Sequence, residues 1–296
     1  MTDTNKLFTQ FYLQLDGQDA AADLFAALEQ IEVESNLHLP AVATLVLHDP
    51  KLTWIDAANL APGVALTVSV KVGTRPTPLF NGEIVEIEPD FSPDGQRLIV
   101  RAFDRLHRLA RGRFARSFVN VTDGDLLKKL AAEVGLTAKT GPTPEVHPYV
   151  LQANESNLAF LQKRAAALGY LLYVKGTTLY CEAPAAGTTT ELTYAQDLVT
   201  FRPRLSTIGQ IEKVTVRSWD MLKKQEVVGV SAAPTAVPKV GETRKKVFNM
   251  EPEDLWPDCR VRTQAEATRL AQAVAEQHAS RFIEAEGSCG GNPALV

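Results

Sequence analysis

The sequence predicts an α+β protein, mainly β, in which two similar β-barrel domains flank a small α+β insert. Three observations predict it. Residues 83–88 and 97–103 form two runs of alternating polar and apolar residues on either side of Pro89, Asp90, Ser92, Pro93, Asp94 and Gly95, the turn chemistry of a long hairpin loop. Around that hairpin the first 110 or so residues read as about six short strands and one helix, a density that suits a closed or nearly closed barrel. Finally, Val100-Arg-Ala-Phe-Asp-Arg-Leu106 returns as Val216-Arg-Ser-Trp-Asp-Met-Leu222, late in a strand of each β-rich region. That echo is what two related barrels would leave in a sequence. The expected domains are residues 1–111, 112–188 and 189–296.

In the first domain, residues 8–15 alternate weakly and read as a strand. Asp19 is expected to open an amphipathic helix with Leu24, Phe25, Leu28 and Ile31 on one face, ended before Pro40. Residues 41–47 and 64–71 read as strands. In the central hairpin, Val85 and Ile87 are expected on one face and Glu86 and Glu88 on the other. Leu98, Val100 and Ala102 oppose Ile99, Arg101 and Phe103, the pattern of a sheet wetted on one side. A short basic helix then runs from Asp104 to about Ala110, with Asp104 placed as its cap.

In the insert, Thr122-Asp-Gly-Asp125 resembles a capping box. It opens a helix whose Leu126, Leu127, Leu130, Ala131 and Val134 share one side, and Gly135 supplies a stop. Tyr149-Val-Leu-Gln152 is a short strand. Asn154 or Ser156 caps a second helix carrying Leu158, Phe160, Leu161, Ala165 and Leu168, and Gly169 ends it. Residues 170–174 and 178–181 make a hairpin about Lys175-Gly176. In the last domain, strands are expected over 198–203, 210–218, 226–230 and 281–286. A loop covers 232–246, and an Ala-rich helix runs from Thr263 to about His278 with Ala267, Leu270, Ala271 and Val274 in a narrow stripe. Ala294-Leu-Val296 reads as the start of a further strand, so the chain is expected to be a portion of a longer protein.

Composition narrows the function. A net charge of −4 argues against a mainly electrostatic nucleic-acid binder. The first residues lack the basic-then-apolar order of a signal peptide, and no run reaches the roughly 18 apolar residues of a membrane span. A soluble chain made in the cytosol is expected. Cys181, Cys259 and Cys289 show no Cys-x-x-Cys spacing, and their sparse, odd number fits a reducing compartment. His38, His48, His107, His147 and His278 form no metal-binding pair by sequence. Glu83, Glu86, Glu88 and Asp90 lie close together, as a glycosidase's carboxylates would, but strand alternation places Glu86 and Glu88 on a wet face. Arg105, Arg108, Arg111, Arg113 and Arg116, with Phe114 among them, read as a solvated helix face or an inter-subunit salt-bridge surface. Trp54, Trp219 and Trp256 read as core or interface anchors. The sequons at Asn120 and Asn154 precede predicted helices, so capping explains them. No Gly-x-Ser-x-Gly elbow and no phosphate loop occurs. No catalytic, cofactor-binding or metal residue is assigned.

Phe80-Asn-Gly-Glu-Ile84 followed by Leu98-Ile-Val-Arg-Ala-Phe-Asp-Arg-Leu106 resembles the baseplate-hub family of contractile tails. So does Gln152-Ala-Asn-Glu-Ser156 with Phe160-Leu161, Ala165 and Gly169-Tyr170. The family includes phage late control protein D, the VgrG spike proteins of type VI secretion and the hub–spike proteins of extracellular injection particles. The resemblance implies a non-enzymatic homotrimer whose two barrels per chain give six near-equivalent units. Such a ring would adapt a hexameric inner tube to a trimeric spike, with other baseplate proteins as further partners and no cofactor. It also implies obligate interfaces on the order of 2,000 Å² or more per pair. Other readings are a cell-wall hydrolase associated with a tail spike, or a carbohydrate-binding adhesion module.

Overall fold

The computed structural model describes residues 10–72, 75–184, 190–235, 252–257 and 259–290. Its first part contains β1 (Gln10–Leu15), β2 (Gln18–Asp19), α1 (Ala22–Ala27), β3 (Leu28–Glu34), β4 (Val42–His48), β5 (Ala65–Val72), β6 (Arg75–Ser92) and β7 (Gly95–Asp104). All seven strands join one antiparallel sheet in the order β2-β1-β5-β6-β7-β4-β3. Alternation sends Leu45, Leu47, Leu66, Val68, Leu98, Val100 and Ala102 to one face, where Leu24 and Leu60 from the connections join them in a dry core. The two-residue β2 and β3 are left as edges. Backbone pairing therefore does not close the expected barrel.

Four local expectations for this part are corrected. The helix stops at Ala27, and residues 28–34 are strand β3 paired with β4. Leu24, Phe25, Leu28 and Ile31 satisfy helical spacing, but Ile31 and Val33 alternate with Gln30, Glu32 and Glu34, and the pairing of β4 selects the period of two. The hairpin loop is short, because β6 and β7 remain paired up to Ser92 and Gly95. Pro89 is tolerated inside β6 because β5 pairs only as far as Glu83 and leaves that flank free. Val85 is the extra residue of a bulge between Ile84 and Glu86; Ile84 and Ile87, not Val85, face the core. Asp104 does not cap the short helix α2 (His107–Ala110), whose N-cap is Leu106 with no side-chain bond. Its buried carboxylate accepts from the Leu106 N–H at 2.9 Å and from the Ala41 N–H at 3.0 Å, tying the end of β7 to the start of β4.

Where β5 gives way to β7 along β6 sits Gly82. A Cβ there would lie 2.2 Å from the Phe103 carbonyl oxygen and 2.5 Å from the Phe80 ring, so only glycine permits the crossing.

After α2 come β8 (Phe114–Val121), α3 (Asp123–Glu133), β9 (Thr137–Thr140), β10 (His147–Glu155), α4 (Asn157–Leu168), β11 (Leu171–Lys175) and β12 (Thr178–Glu182). The capping box forms: the Thr122 hydroxyl accepts from the Asp125 N–H, and the Asp125 carboxylate accepts from the Thr122 N–H. Ser156, not Asn154, caps α4. Asn120 and Asn154 cap nothing; both hold left-handed backbone, φ 53° and 52°, which asparagine adopts more readily than most residues. Strands β8 and β10 form a two-stranded sheet, and β11-β12-β9 a second one with β9 parallel to β12. Between them lies a core of Leu106, Leu109, Phe118, Leu126, Leu130, Leu161 and Leu172, with the Phe118 and Phe160 rings stacked at 6.0 Å.

The last part contains β13 (Leu198–Leu205), β14 (Lys213–Asp220), β15 (Gln225–Val230), β16 (Glu253–Trp256), α5 (Gln264–Ser280) and β17 (Ile283–Cys289). Among the described residues these strands make a β13-β17 pair and a β15-β14-β16 sheet with β14 parallel to β16. This is not the strand order of the first sheet, and among the described residues the pairing closes no second barrel. Helix α5, capped by Thr263, lays Ala267, Ala271, Val274 and Ala275 on Val214, Val216 and Val227. It approaches until a Cβ on Gly229 would stand 2.2 Å from the backbone of Ala267 and Thr268. Most of the loop expected over 232–246, and the strand start expected at Ala294, lie outside the described residues.

Candidate assembly surface

Three of the charged residues singled out in the sequence, Glu83, Arg105 and Arg108, form a joint. Glu83 on β6 is nearly enclosed and faces Arg105 at 3.5 Å, His107 at 3.4 Å and the guanidinium of Arg108. Burial alone would raise its pKa; the hydrogen bond and charge of Arg108, with Arg105 and His107, outweigh that and hold it below the ordinary value. Arg108 also donates to the Val134 carbonyl at the end of α3 at 2.8 Å, and Arg105 to Asn81 and to the Gly176 carbonyl. A third tie comes from His38, whose carbonyl accepts from Gln162 and whose Nδ1 accepts from the Leu172 N–H at 3.3 Å. The first sheet thus grips the middle unit at several separate points.

A second joint holds the middle unit to α5. Asp123 at the start of α3 accepts from Arg164 of α4 and pairs with His147 Nε2 at 3.1 Å, while His147 Nδ1 stands 3.8 Å from Glu266. Arg269 of α5 pairs with Glu145. Burial would raise Asp123's pKa, yet the bonds from His147 and Arg164 lower it on balance. These groups line a cavity of about 110 Å³.

Several of the remaining residues expected to matter are also engaged. Glu86 and Glu88 both bind Arg101, at 2.7 and 2.6 Å, on the exposed face. Arg116 makes a two-pronged bond to Glu133 and lies 4.7 Å from the centre of the Phe114 ring, while Arg113 donates to the Asn154 carbonyl. The arginine run is therefore chiefly internal cross-linking, which its sequence spacing did not reveal. His48 lies 3.7 Å from Glu29, and His278 Nδ1 meets the Gly209 carbonyl at 2.9 Å. Among the described residues no group of three or more His, Cys, Asp and Glu is arranged to hold a metal ion. No described helix is long and apolar enough to cross a membrane.

Unengaged apolar surface lies elsewhere. The outer face of β8-β10 pairs Val119 with Tyr149, Ser117 with Leu151 and Ala115 with Ala153, all exposed and none charged. The β13-β17 ribbon exposes Val199 and Phe201. The β14-β15 hairpin ends in Trp219, Met221 and Leu222, again exposed, while Trp54 alone of the three tryptophans packs against a core. A two-stranded ribbon with this little burial is marginal by itself, and contiguous uncharged faces mark places where other molecules sit. Strand alternation does not say which face is covered, so apart from Trp219, expected as a core or interface anchor, these surfaces carry no mark in the sequence.

The family model described as the Alg8 N-terminal domain matches residues 6–290, nearly the whole chain. The chain belongs to this family. No curated protein matches it. Solved structures that this chain resembles include the 43 kDa tail protein of prophage MuSo2 from Shewanella oneidensis. That protein is 14% identical at a TM-score of 0.69, with 96% of this chain and 83% of that one covered. The tail protein from Neisseria meningitidis MC58 is 13% identical at 0.64, covering 96% and 80%. An E. coli component of the type VI secretion system, similar to bacteriophage T4 tail proteins, is 15% identical at 0.50, covering 66% and 56%. At such identities the likeness is one of fold: this member of the Alg8 N-terminal domain family is folded as those tail proteins are.

Proposed function

We propose that this chain is a structural baseplate-hub component of a contractile, phage-tail-like injection machine. In this reading it is a non-enzymatic homotrimer with pseudo-six-fold symmetry that joins a hexameric inner tube to a trimeric spike. The observation that carries it is the pair of thin sheets, β8-β10 and β13-β17, that each leave an apolar face exposed, on a chain with a tail-protein fold. Such faces gain stability only when neighbouring subunits cover them. The acids that a hydrolase would need are held in ion pairs: Glu83 by Arg105 and Arg108, Glu86 and Glu88 by Arg101. That favours assembly over catalysis as the work of this surface.

Pseudo-symmetry rests on the internal echo rather than on strand order. Asp104 and Asp220 make the same local turn, each accepting from the N–H two residues on, at 2.9 and 3.0 Å. The other partners in this reading are the tube protein, the spike or its tip, and neighbouring baseplate proteins. The particle would be assembled from chains made in the cytoplasm. Cryo-electron microscopy of purified particles with this chain labelled tests the reading. Three copies in a ring at the tube–spike junction support it; another copy number, or a position outside the baseplate, removes it.

A further inference from the structure

The two copies of the seven-residue echo end in opposite situations. In the first, Asp104 fixes the turn, and Leu106 is fully buried in the middle unit's core. Arg108 reaches on to Glu83 and to the carbonyl at the C-terminal end of α3. In the second, Asp220 fixes the turn more tightly, accepting from the N–H groups of both Leu222 and Lys223 at 3.0 Å. Yet Leu222 is 92% exposed and Met221 78%. Lys224 stands where Arg108 stands in the first copy. A turn organised to hold a leucine outward, with nothing over it, has the form of the buried copy without its socket.

We propose that the tip Asp220-Met221-Leu222-Lys223-Lys224 is a docking plug for a different protein of the same particle. That protein would offer an apolar socket between helices, rimmed by carboxylates or by helix C-terminal carbonyls. The proposal rests on the hub reading above. The socket's chemistry is taken from the one this chain builds for Leu106: leucine and phenylalanine side chains from α3, α4 and β8 at its floor, and Glu83 and the Val134 carbonyl for the cation at its rim. Lys223 and Lys224 give the tip the positive charge that such a rim complements; Asp220, occupied with the turn, offsets only part of it. A second copy of the chain is the weaker candidate, because its matching socket is already filled by its own Leu106. A preformed turn also loses little conformational freedom on docking.

The test is site-specific photo-crosslinking. Benzoylphenylalanine replaces Leu222 in the full chain, particles are purified from the producing cells, irradiated, and the adduct is mapped by mass spectrometry. The expected product joins residue 222 to another protein of the particle, at an apolar position beside Asp, Glu or a helix end. In parallel, Leu222→Asp is expected to lower the chain's retention in washed particles by about tenfold or more, as loss of a central apolar anchor does. Its melting temperature should not change, since the side chain touches no core. An adduct to a second copy, full retention of Leu222→Asp, or no adduct from particles that do contain the chain each overturns the docking proposal alone. So does tip-dependent binding to phosphatidylglycerol vesicles by the isolated chain in place of an adduct. If the chain is missing from the particles altogether, the hub reading falls first and this proposal with it.

Discussion

Replacing Glu83 by glutamine should loosen the joint between the first sheet and the middle unit. The carboxylate takes two bonds from Arg108 and stands near Arg105 and His107. A hydrogen bond to a charged group is worth ~1.5–3 kcal/mol. The Arg108 side chain is one-third exposed, so solvent screens part of its share, and the loss should be about 2–3 kcal/mol. Much of that comes from leaving the Arg105 and Arg108 guanidinium groups together without their counter-charge. Urea unfolding of wild type, Glu83→Gln, Arg108→Met and the double variant gives the coupling, expected at about 1 kcal/mol or more. Native-state hydrogen exchange should show the amides of α2 and of residues 134–136 opening earlier in the Glu83 variant. The sign with pH follows from the lowered pKa. The stabilisation is complete above the ordinary carboxylate value of 4.5 and is lost as pH falls through the lower folded value. Glu83→Gln should therefore flatten the acid limb in that window, leaving the share due to Asp123. Coupling below about 0.3 kcal/mol, or an unchanged acid limb, would refute the reasoning.

Other outcomes follow from the packing. Gly229→Ala should push α5 off β15 and cost about 1–3 kcal/mol by thermal unfolding, since its Cβ would meet backbone rather than a side chain that could move. Thr122→Ala removes one half of the capping box and should cost ~1 kcal/mol in the same assay, with Thr122→Ser nearly neutral. Cys181 is buried, and burial with the nearby acids Asp123 and Glu182 pushes its thiol up to about 12. In native protein at pH 8 iodoacetamide should spare Cys181 while reacting with the partly exposed Cys259 and Cys289; modification of Cys181 at their rate would contradict its placement.

Much of the strand pattern could be read in the chain because alternation is a local signal. Leu98, Val100 and Ala102 point inward, and Thr122 and Thr263 cap their helices as expected. The failures have physical causes. Leu24, Phe25, Leu28 and Ile31 keep a helical spacing while residues 30–34 alternate, and a neighbour strand decided between the two. The bulge at Val85 shifts the faces by one residue without leaving a compositional mark. Strand β9 and the parallel pairs β9–β12 and β14–β16 depend on segments about 40 residues apart, which periodicity does not connect. The joints were missed for the same reason: Glu83 with Arg108, and Asp123 with Arg164, meet only after the fold is formed. The arginine run looked like a surface feature because its partners are distant in sequence.

The most direct measurement of the central claim is the copy number and position of this chain in an intact particle, read from a cryo-electron microscopy map without imposed symmetry. The account predicts three chains at the tube–spike junction, with β8-β10 and β13-β17 covered by neighbouring subunits. Chains found elsewhere in the particle, or those two faces open to solvent, would contradict it.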